Sequence, residues 1–175
     1  MDKNSPWRAR FERVLRAALA HAEPKIIIWG PGQHHVDYEK RRRIKEAIRK
    51  EVPYGEVNFP EDPEMDDADS GIVRDGDLDA AELLQAVAAD IVIALDASNS
   101  VAEEIARYST NPKIAAKLFV VAPAERRPSY HDAILEKLTV YFVSDEEWVT
   151  CHETTKLCLI HVRTWCVDDY AKHSN

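Results

Sequence analysis

Three short runs of this chain lack any alternation of polar and apolar positions. They are Lys25-Ile26-Ile27-Ile28-Trp29, Asp90-Ile91-Val92-Ile93-Ala94-Leu95 and Lys117-Leu118-Phe119-Val120-Val121. Such runs suit central parallel strands covered on both faces. The segments between them carry apolar residues at helical spacing. Ser5-Pro6 is an N-cap followed by proline at the first helical position, and Trp7, Phe11, Val14, Leu15, Ala18 and Leu19 follow three or four apart, so an amphipathic helix is expected over 5–23. A basic amphipathic helix is expected over 37–51, with Ile44, Ala47 and Ile48 inward. A short strand over Glu56–Phe59 ends at Pro60, and residues 61–77 form an acidic, irregular loop. Residues 79–88 read as a helix with Leu83, Leu84 and Val87 on one face. A further helix, capped by Ser98 or Ser100, runs to Tyr108 and is broken at Asn111-Pro112. A helix over 129–138, a strand over Val140–Val143 and a long helix over about 145–172, capped by Ser144 or Asp145, complete the chain.

Strands alternating with helices predict a flavodoxin-like, doubly wound, mainly parallel five-stranded sheet flanked by helices. The 175 residues fit a single domain, with a core of about 25–143, an extra N-terminal helix and the long C-terminal helix. Ligands of such sheets sit beyond the C-terminal strand ends, here the loops after Trp29, Phe59 and Leu95.

Charge narrows the function classes. The formal net charge is -8, which argues against general nucleic-acid binding. No apolar run approaches the about 20 residues that span a bilayer, and the charged opening residues lack a signal-peptide core, so no membrane contact and a cytoplasmic location are expected. Cys151, Cys158 and Cys166 share one helical stripe with Val162, the pattern of buried thiols used as small apolar side chains.

Gly30-Pro31-Gly32-Gln33-His34-His35 opens like a dinucleotide-binding turn, but its third glycine is replaced by His35 and Pro31 removes a backbone donor. Two readings stay open, a plain strand-to-helix turn and a glycine loop that lets a ribose or phosphate approach the backbone closely. His34, His35 and Asp37 are expected as solvated loop residues, and Asp75, Asp77 and Asp79 lack the closing glutamate of a calcium loop, so no metal or cofactor is expected. In the run Lys40-Arg41-Arg42-Arg43, on a helix that follows the ligand-side loop, either a solvated face or a phosphate contact through Arg41 or Arg42 is open. Arg107 is a further cationic candidate. Glu103 and Glu104 fall in the first turns of the helix after Leu95, where acidic residues favour the helix dipole and where a carboxylate also lies at the ligand crevice.

Three patterns together resemble the nucleoside 2-deoxyribosyltransferase-like superfamily, which includes deoxyribosyltransferases, nucleotide N-glycoside hydrolases and, more distantly, TIR-type NAD-cleaving domains. They are Ile26-Ile27-Ile28-Trp29-Gly30-Pro31, the helix Tyr38-Glu39-Lys40-Arg41-Arg42-Arg43-Ile44, and the stretch from Asp90 through Asp96, Ser98 and Glu104 to Ala106. The resemblance implies cleavage of an N-glycosidic bond in a nucleoside, nucleotide or NAD, by hydrolysis or base transfer and without a cofactor, as in members that act in phage defence. Residue by residue it places the catalytic carboxylate on Glu104 and a second acidic contact on Glu82, with Asp79 as the alternative. It places substrate contacts on Trp29, Gly30, Pro31, Gly32, Asp96 and the turn Ser98-Asn99-Ser100. Where the family carries glycines around the glutamate, this chain has Asn99, Ser100 and Ala106. A homo-oligomer, with or without an activating partner protein, fits the same resemblance. The rival readings are a nucleotide-sensing module without catalysis and an oligomerising module.

Overall fold

A computed structural model describes residues 6–62, 78–130 and 132–174. Among them, five parallel strands form one sheet: β1 (Lys25–Trp29), β2 (Glu56–Asn58), β3 (Ile91–Leu95), β4 (Leu118–Pro123) and β5 (Thr139–Val143), in the order β2-β1-β3-β4-β5. This is the flavodoxin-like arrangement expected from the apolar runs, and β1, β3 and β4 are buried from their second residue onward. Trp29 pairs with Ala94 and Leu95 with Val121, so the three central strands end at nearly the same level.

Helices cover both faces. On one face lie α1 (Pro6–His21), α2 (Tyr38–Glu51), α7 (Asp145–Thr150) and α8 (His152–His173), around Ile26, Ile28, Ile44, Ile48, Ile93, Phe119 and Val162. On the other lie α3 (Leu78–Ala88), α4 (Asn99–Tyr108), α5 (Pro112–Ala115) and α6 (Asp132–Leu135), around Ile27, Trp29, Ala86, Ala94, Ile105 and Val120. The alternation of side chains along each strand sends Ile26 and Ile28 to one layer and Ile27 and Trp29 to the other. Ser98 caps α4 by accepting from the Val101 amide, and Asn111 caps α5 ahead of Pro112.

Two elements differ from the sequence reading. The C-terminal helix expected over 145–172 is two helices: Ser144 forms a capping box with Glu147, but Cys151 adopts φ 60° and turns the chain before α8 begins. The helix expected over 129–138 shrinks to the single turn α6. A 3₁₀ segment, Ala124–Ser129, precedes it, where Pro128 provides no amide hydrogen for a longer α-helix. Cys151, Cys158 and Cys166 are all buried and free, as expected, but Cys151 sits in the turn, so the stripe along α8 consists of Cys158, Val162 and Cys166 alone.

His161 lies inside the α8 layer, its ring stacked on Phe119 at 4.2 Å. Burial lowers its pKa to about 4. Its folded pKa is thus below the about 6.5 of the unfolded chain, and between these values the unfolded state binds a proton that the folded state refuses. Its contribution is fully present above pH 6.5 and is lost as pH falls through about 4. From pH 7 to 4.5, His161→Phe, which keeps a stacked ring, is expected to lose about 2 kcal/mol less stability than the wild type in urea unfolding. Equal losses would show that the imidazole is not the source.

Candidate active site at the carboxyl edge of the sheet

The connection from β1 leads to β2 on one side, and the connection from β2 returns to β3 on the other. The crevice at this reversal lies beyond the carboxyl ends of β1 and β3, where doubly wound sheets place their ligands. Trp29, the last residue of β1, points to the α3–α4 layer and is 1% exposed. Its ring stacks on Tyr108 of α4, with centroids 4.8 Å apart and planes 29° from parallel. The Tyr108 hydroxyl donates to Glu82 Oε2 of α3 at 3.5 Å. Glu104 stands on α4 four residues before Tyr108, hence on the same helical face, and is half-buried. Two residues singled out in the sequence, Trp29 and Glu82, therefore touch Tyr108, and a third, Glu104, lies one helical turn before it. The Trp29 indole Nε1 is buried and has no acceptor among the described residues. Such an orphaned donor costs about 1–3 kcal/mol unless a water or ligand satisfies it.

Asp96 is the second focus. It follows β3, its amide donates to Val121 O, and its carboxylate is fully buried. Asp96 Oδ2 accepts from the Tyr130 hydroxyl at 2.8 Å. Asp96 Oδ1 has no hydrogen-bond partner among the described residues and lies 3.9 Å from Arg126 Nη1. Burial pushes the Asp96 pKa up, against the opposing pull of the Tyr130 hydrogen bond and the Arg126 charge. The Tyr130 hydroxyl, buried beside this carboxylate, is pushed far above its ordinary range and remains a donor. Arg126 Nη1 also donates to Asn99 Oδ1 at 3.0 Å, which brings its guanidinium to the first turn of α4. The Ser98 and Ser100 hydroxyls meet there at 2.9 Å. By strand alternation Asp96 shares the face of Ala94 and Trp29. Among the described residues, Trp29 Nε1 and Asp96 Oδ1 are thus an unmatched donor and an unmatched acceptor, both buried, at the carboxyl ends of adjacent strands.

The glycine loop behaves differently from the sequence reading of its parts. Arg41 is 2% exposed, and its guanidinium donates to Ile28 O, to Pro31 O and, through both terminal nitrogens, to the Glu61 carboxylate at 2.7 and 2.9 Å. Its plane also lies 4.3 Å from the Phe59 ring. Arg41 thus clamps the loop after β1 to the loop after β2, and its donors are committed to the protein. A Cβ on Gly30 would stand 3.0 Å from Arg41 Cδ, so Gly30 makes room for this side chain, while a Cβ on Gly32 would meet open space. Lys45 pairs with Asp62, whose Oδ2 also accepts from the Phe59 amide at 2.7 Å, and this fixes the second loop.

Arg42 is exposed and pairs with Glu39 at 2.8 Å on the surface of α2, and Arg107 is exposed in the last turn of α4. The Asp79 side chain, Asp75 and Asp77 lie outside the described residues. His34, His35 and Asp37 form a tight turn in which the Asp37 amide donates to His35 Nδ1 at 3.1 Å. Among the described residues no three His, Cys, Asp or Glu side chains are grouped to hold a metal ion, and no helix is long and apolar enough to cross a membrane.

Sequence reasoning missed Tyr108, Arg126 and Tyr130. Tyr108 was detectable, since it stands one turn after Glu104. Arg126 and Tyr130 belong to no periodic segment, and only the return from β4 carries them to Asp96. No family model matches this chain, and no curated protein matches it.

Proposed function

We propose that this chain cleaves the N-glycosidic bond of a nucleoside, a nucleotide or NAD, by hydrolysis or by transfer of the base. The observation that carries this reading is the contact of Tyr108 with both Trp29 and Glu82, one helical turn after Glu104 at the carboxyl edge of the sheet, with a buried indole donor left unmatched among the described residues. Breaking the bond between C1′ and the base nitrogen leaves positive charge on the ribose ring, as in glycoside hydrolysis. In this reading Glu104 supplies the carboxylate that stabilises or attacks C1′. Glu82, held by Tyr108, orients the sugar or base, and the Trp29 indole donates to an acceptor on the substrate. The first turn of α4, with Ser98, Asn99 and Ser100 beside Arg126, faces the oxygens of a ribose or phosphate, since a helix N-terminus and a guanidinium both favour negative charge. Asp96 offers its unmatched oxygen to a ribose hydroxyl. Water arriving at C1′ gives hydrolysis and a second base gives transfer; the base of a nucleoside or nucleotide departs with the proton that the incoming water or base gives up, whereas the nicotinamide of NAD departs neutral without one and the incoming water's proton goes to solvent.

The test is incubation of the purified protein with NAD and a panel of nucleosides and nucleotides, following free base by chromatography. Release from one substrate class is the expected result and names the substrate. Binding of a nucleotide by calorimetry with no base released from any of them would overturn the enzymatic reading in favour of a sensing module.

A further inference from the structure

The three arginines that the sequence offers as phosphate contacts are engaged elsewhere. The donors of Arg41 are committed to the protein, Arg42 pairs with Glu39 on the surface of α2, and Arg107 stands in the last turn of α4. Arg126, which belongs to no periodic segment, is the cation at the first turn of α4 instead. Its side chain is 19% exposed and is pinned from two sides: Nη1 donates to Asn99 Oδ1 at 3.0 Å and lies 3.9 Å from Asp96 Oδ1. Nε and Nη2 have no partner among the described residues, and neither is sealed from solvent. A guanidinium carries its five N–H donors in a fixed fork that matches the oxygens of a phosphate. Arg126 gives one donor to Asn99 and keeps the edge formed by Nε and Nη2, which can engage two oxygens at once. The buried Asp96 carboxylate lies beside Nη1, the anchored nitrogen, and so fixes the fork without occupying its free edge.

Spacing indicates which phosphate this edge meets. Arg126 holds Asn99, and Ser100 follows it; Glu104 lies four residues after Ser100, on the same helical face. Four residues put about 6 Å of helix axis between them. In a nucleotide, the path from C1′ through O4′, C4′, C5′ and O5′ to the 5′-phosphorus covers a comparable span. With Glu104 at C1′, as in the reaction proposed above, a 5′-phosphate reaches the Arg126 end of α4, whereas an uncharged nucleoside leaves the fork empty. The geometry points to Arg126 as the specificity-determining residue of the site: it selects substrates whose ribose carries a 5′-phosphate, a mononucleotide or NAD, over nucleosides. The inference rests on the proposed reaction for the place of C1′ and on Arg126 alone for the phosphate contact.

The test compares nucleosides with their 5′-monophosphates, and with NAD, for the wild type, Arg126→Gln and Arg126→Lys. In base release, wild-type kcat/KM should be at least about 100-fold higher for the phosphate-bearing member of each pair. Arg126→Gln should lower it about 100-fold for those substrates, chiefly through KM, and leave nucleosides within about three-fold. Arg126→Lys keeps the charge without the fork and should fall between the two. Calorimetric binding of the same pairs separates this inference from the reaction it rests on: a phosphate preference that Arg126→Gln abolishes upholds the inference even where no base is released from any substrate. Thermal melting confirms that the variants are folded; should Arg126→Gln unfold, Arg126→Lys, together with competition by inorganic phosphate against wild-type binding, carries the test. Equal handling of nucleosides and their 5′-monophosphates by the wild type would overturn the inference, as would a phosphate preference that survives in Arg126→Gln. An equal loss for both classes in that variant would also overturn it and make Arg126 a structural residue. The relative rates on mononucleotides and NAD name the source of the phosphate.

Discussion

Glu104→Gln is expected to reduce base release by about 1,000-fold or more while leaving the fold intact. The substitution keeps the length, volume and hydrogen-bonding reach of the side chain and removes only its negative charge. That charge is what the proposed chemistry requires, because the ribose gains positive charge at C1′ as the base departs and an amide neither neutralises nor attacks it. Glu104 is half-buried on α4, whose inward face is built by Val101, Ile105 and Tyr108, so the helix keeps its packing in the variant. The thermal midpoint should stay within about 2 °C of the wild type, as for a substitution that leaves the core untouched. Substrate binding, measured calorimetrically on the variant, should persist within about ten-fold, since the carboxylate acts mainly on the transition state. Full activity in the variant would remove Glu104 from the mechanism. A collapse of the melting transition would show that the carboxylate holds α4 in place.

The second large effect concerns stability and falls on Arg41. Arg41→Met retains the buried stem and deletes the guanidinium. The carbonyls of Ile28 and Pro31 lose their donor, and Glu61 loses a partner that engages both of its oxygens. Buried carbonyls left unmatched cost about 1–3 kcal/mol each, and breaking a buried ion pair costs about 3–5 kcal/mol. Glu61 is 40% exposed and regains water, which lowers its share. A total loss of about 3–5 kcal/mol is expected in urea unfolding, a large fraction of the about 5–15 kcal/mol of a typical domain. Arg41→Lys should recover only part of this, because one ammonium cannot serve two carbonyls and a bidentate carboxylate together. Glu61→Gln should cost much less than either, since Arg41 keeps both of its backbone acceptors. A loss below about 1 kcal/mol in Arg41→Met would contradict the clamp, because it would mean that the two carbonyls find other donors. The clamp also joins the loops after β1 and β2 at the carboxyl edge of the sheet.

Arg41 also shows where sequence reasoning stopped short. Within Lys40-Arg41-Arg42-Arg43, charge and helical spacing leave two readings, a solvated face and a phosphate contact. Arg42 takes the first, paired with Glu39 on the surface. Arg41 takes neither, because α2 packs with this position against the start of the glycine loop, and Gly30 lacks the Cβ that would block it. A helix with four successive cationic positions does not reveal which of them faces the sheet until the sheet is there.

The sheet itself was legible, since an unbroken run such as Ile26-Ile27-Ile28-Trp29 or Ile91-Val92-Ile93-Ala94-Leu95 has only one way to hide both of its sides, as a central strand between two helical layers. Right-handed crossovers limit the possible strand orders, but the order β2-β1-β3-β4-β5, which sets the reversal between β1 and β3, was decided by the tertiary structure. Trp29 and Asp96 could be named in advance because each sits at or just beyond a strand end, a position set by local pattern, whereas Glu104 was distinguished from Glu103 only by the family resemblance. Their partners could not. Tyr108 reaches Trp29 only because α4 packs on β3, the strand beside β1, Tyr130 and Arg126 reach Asp96 through a 3₁₀ return with no periodic signal, and the left-handed turn at Cys151 divides a helix whose residue spacing reads as continuous. Along α1, the same helical spacing describes the packed Ala18 and the exposed Trp7 and Phe11. Periodicity reports which residues share a face, whereas what lies opposite that face depends on contacts between segments far apart in the chain, and those exist only once the chain has folded.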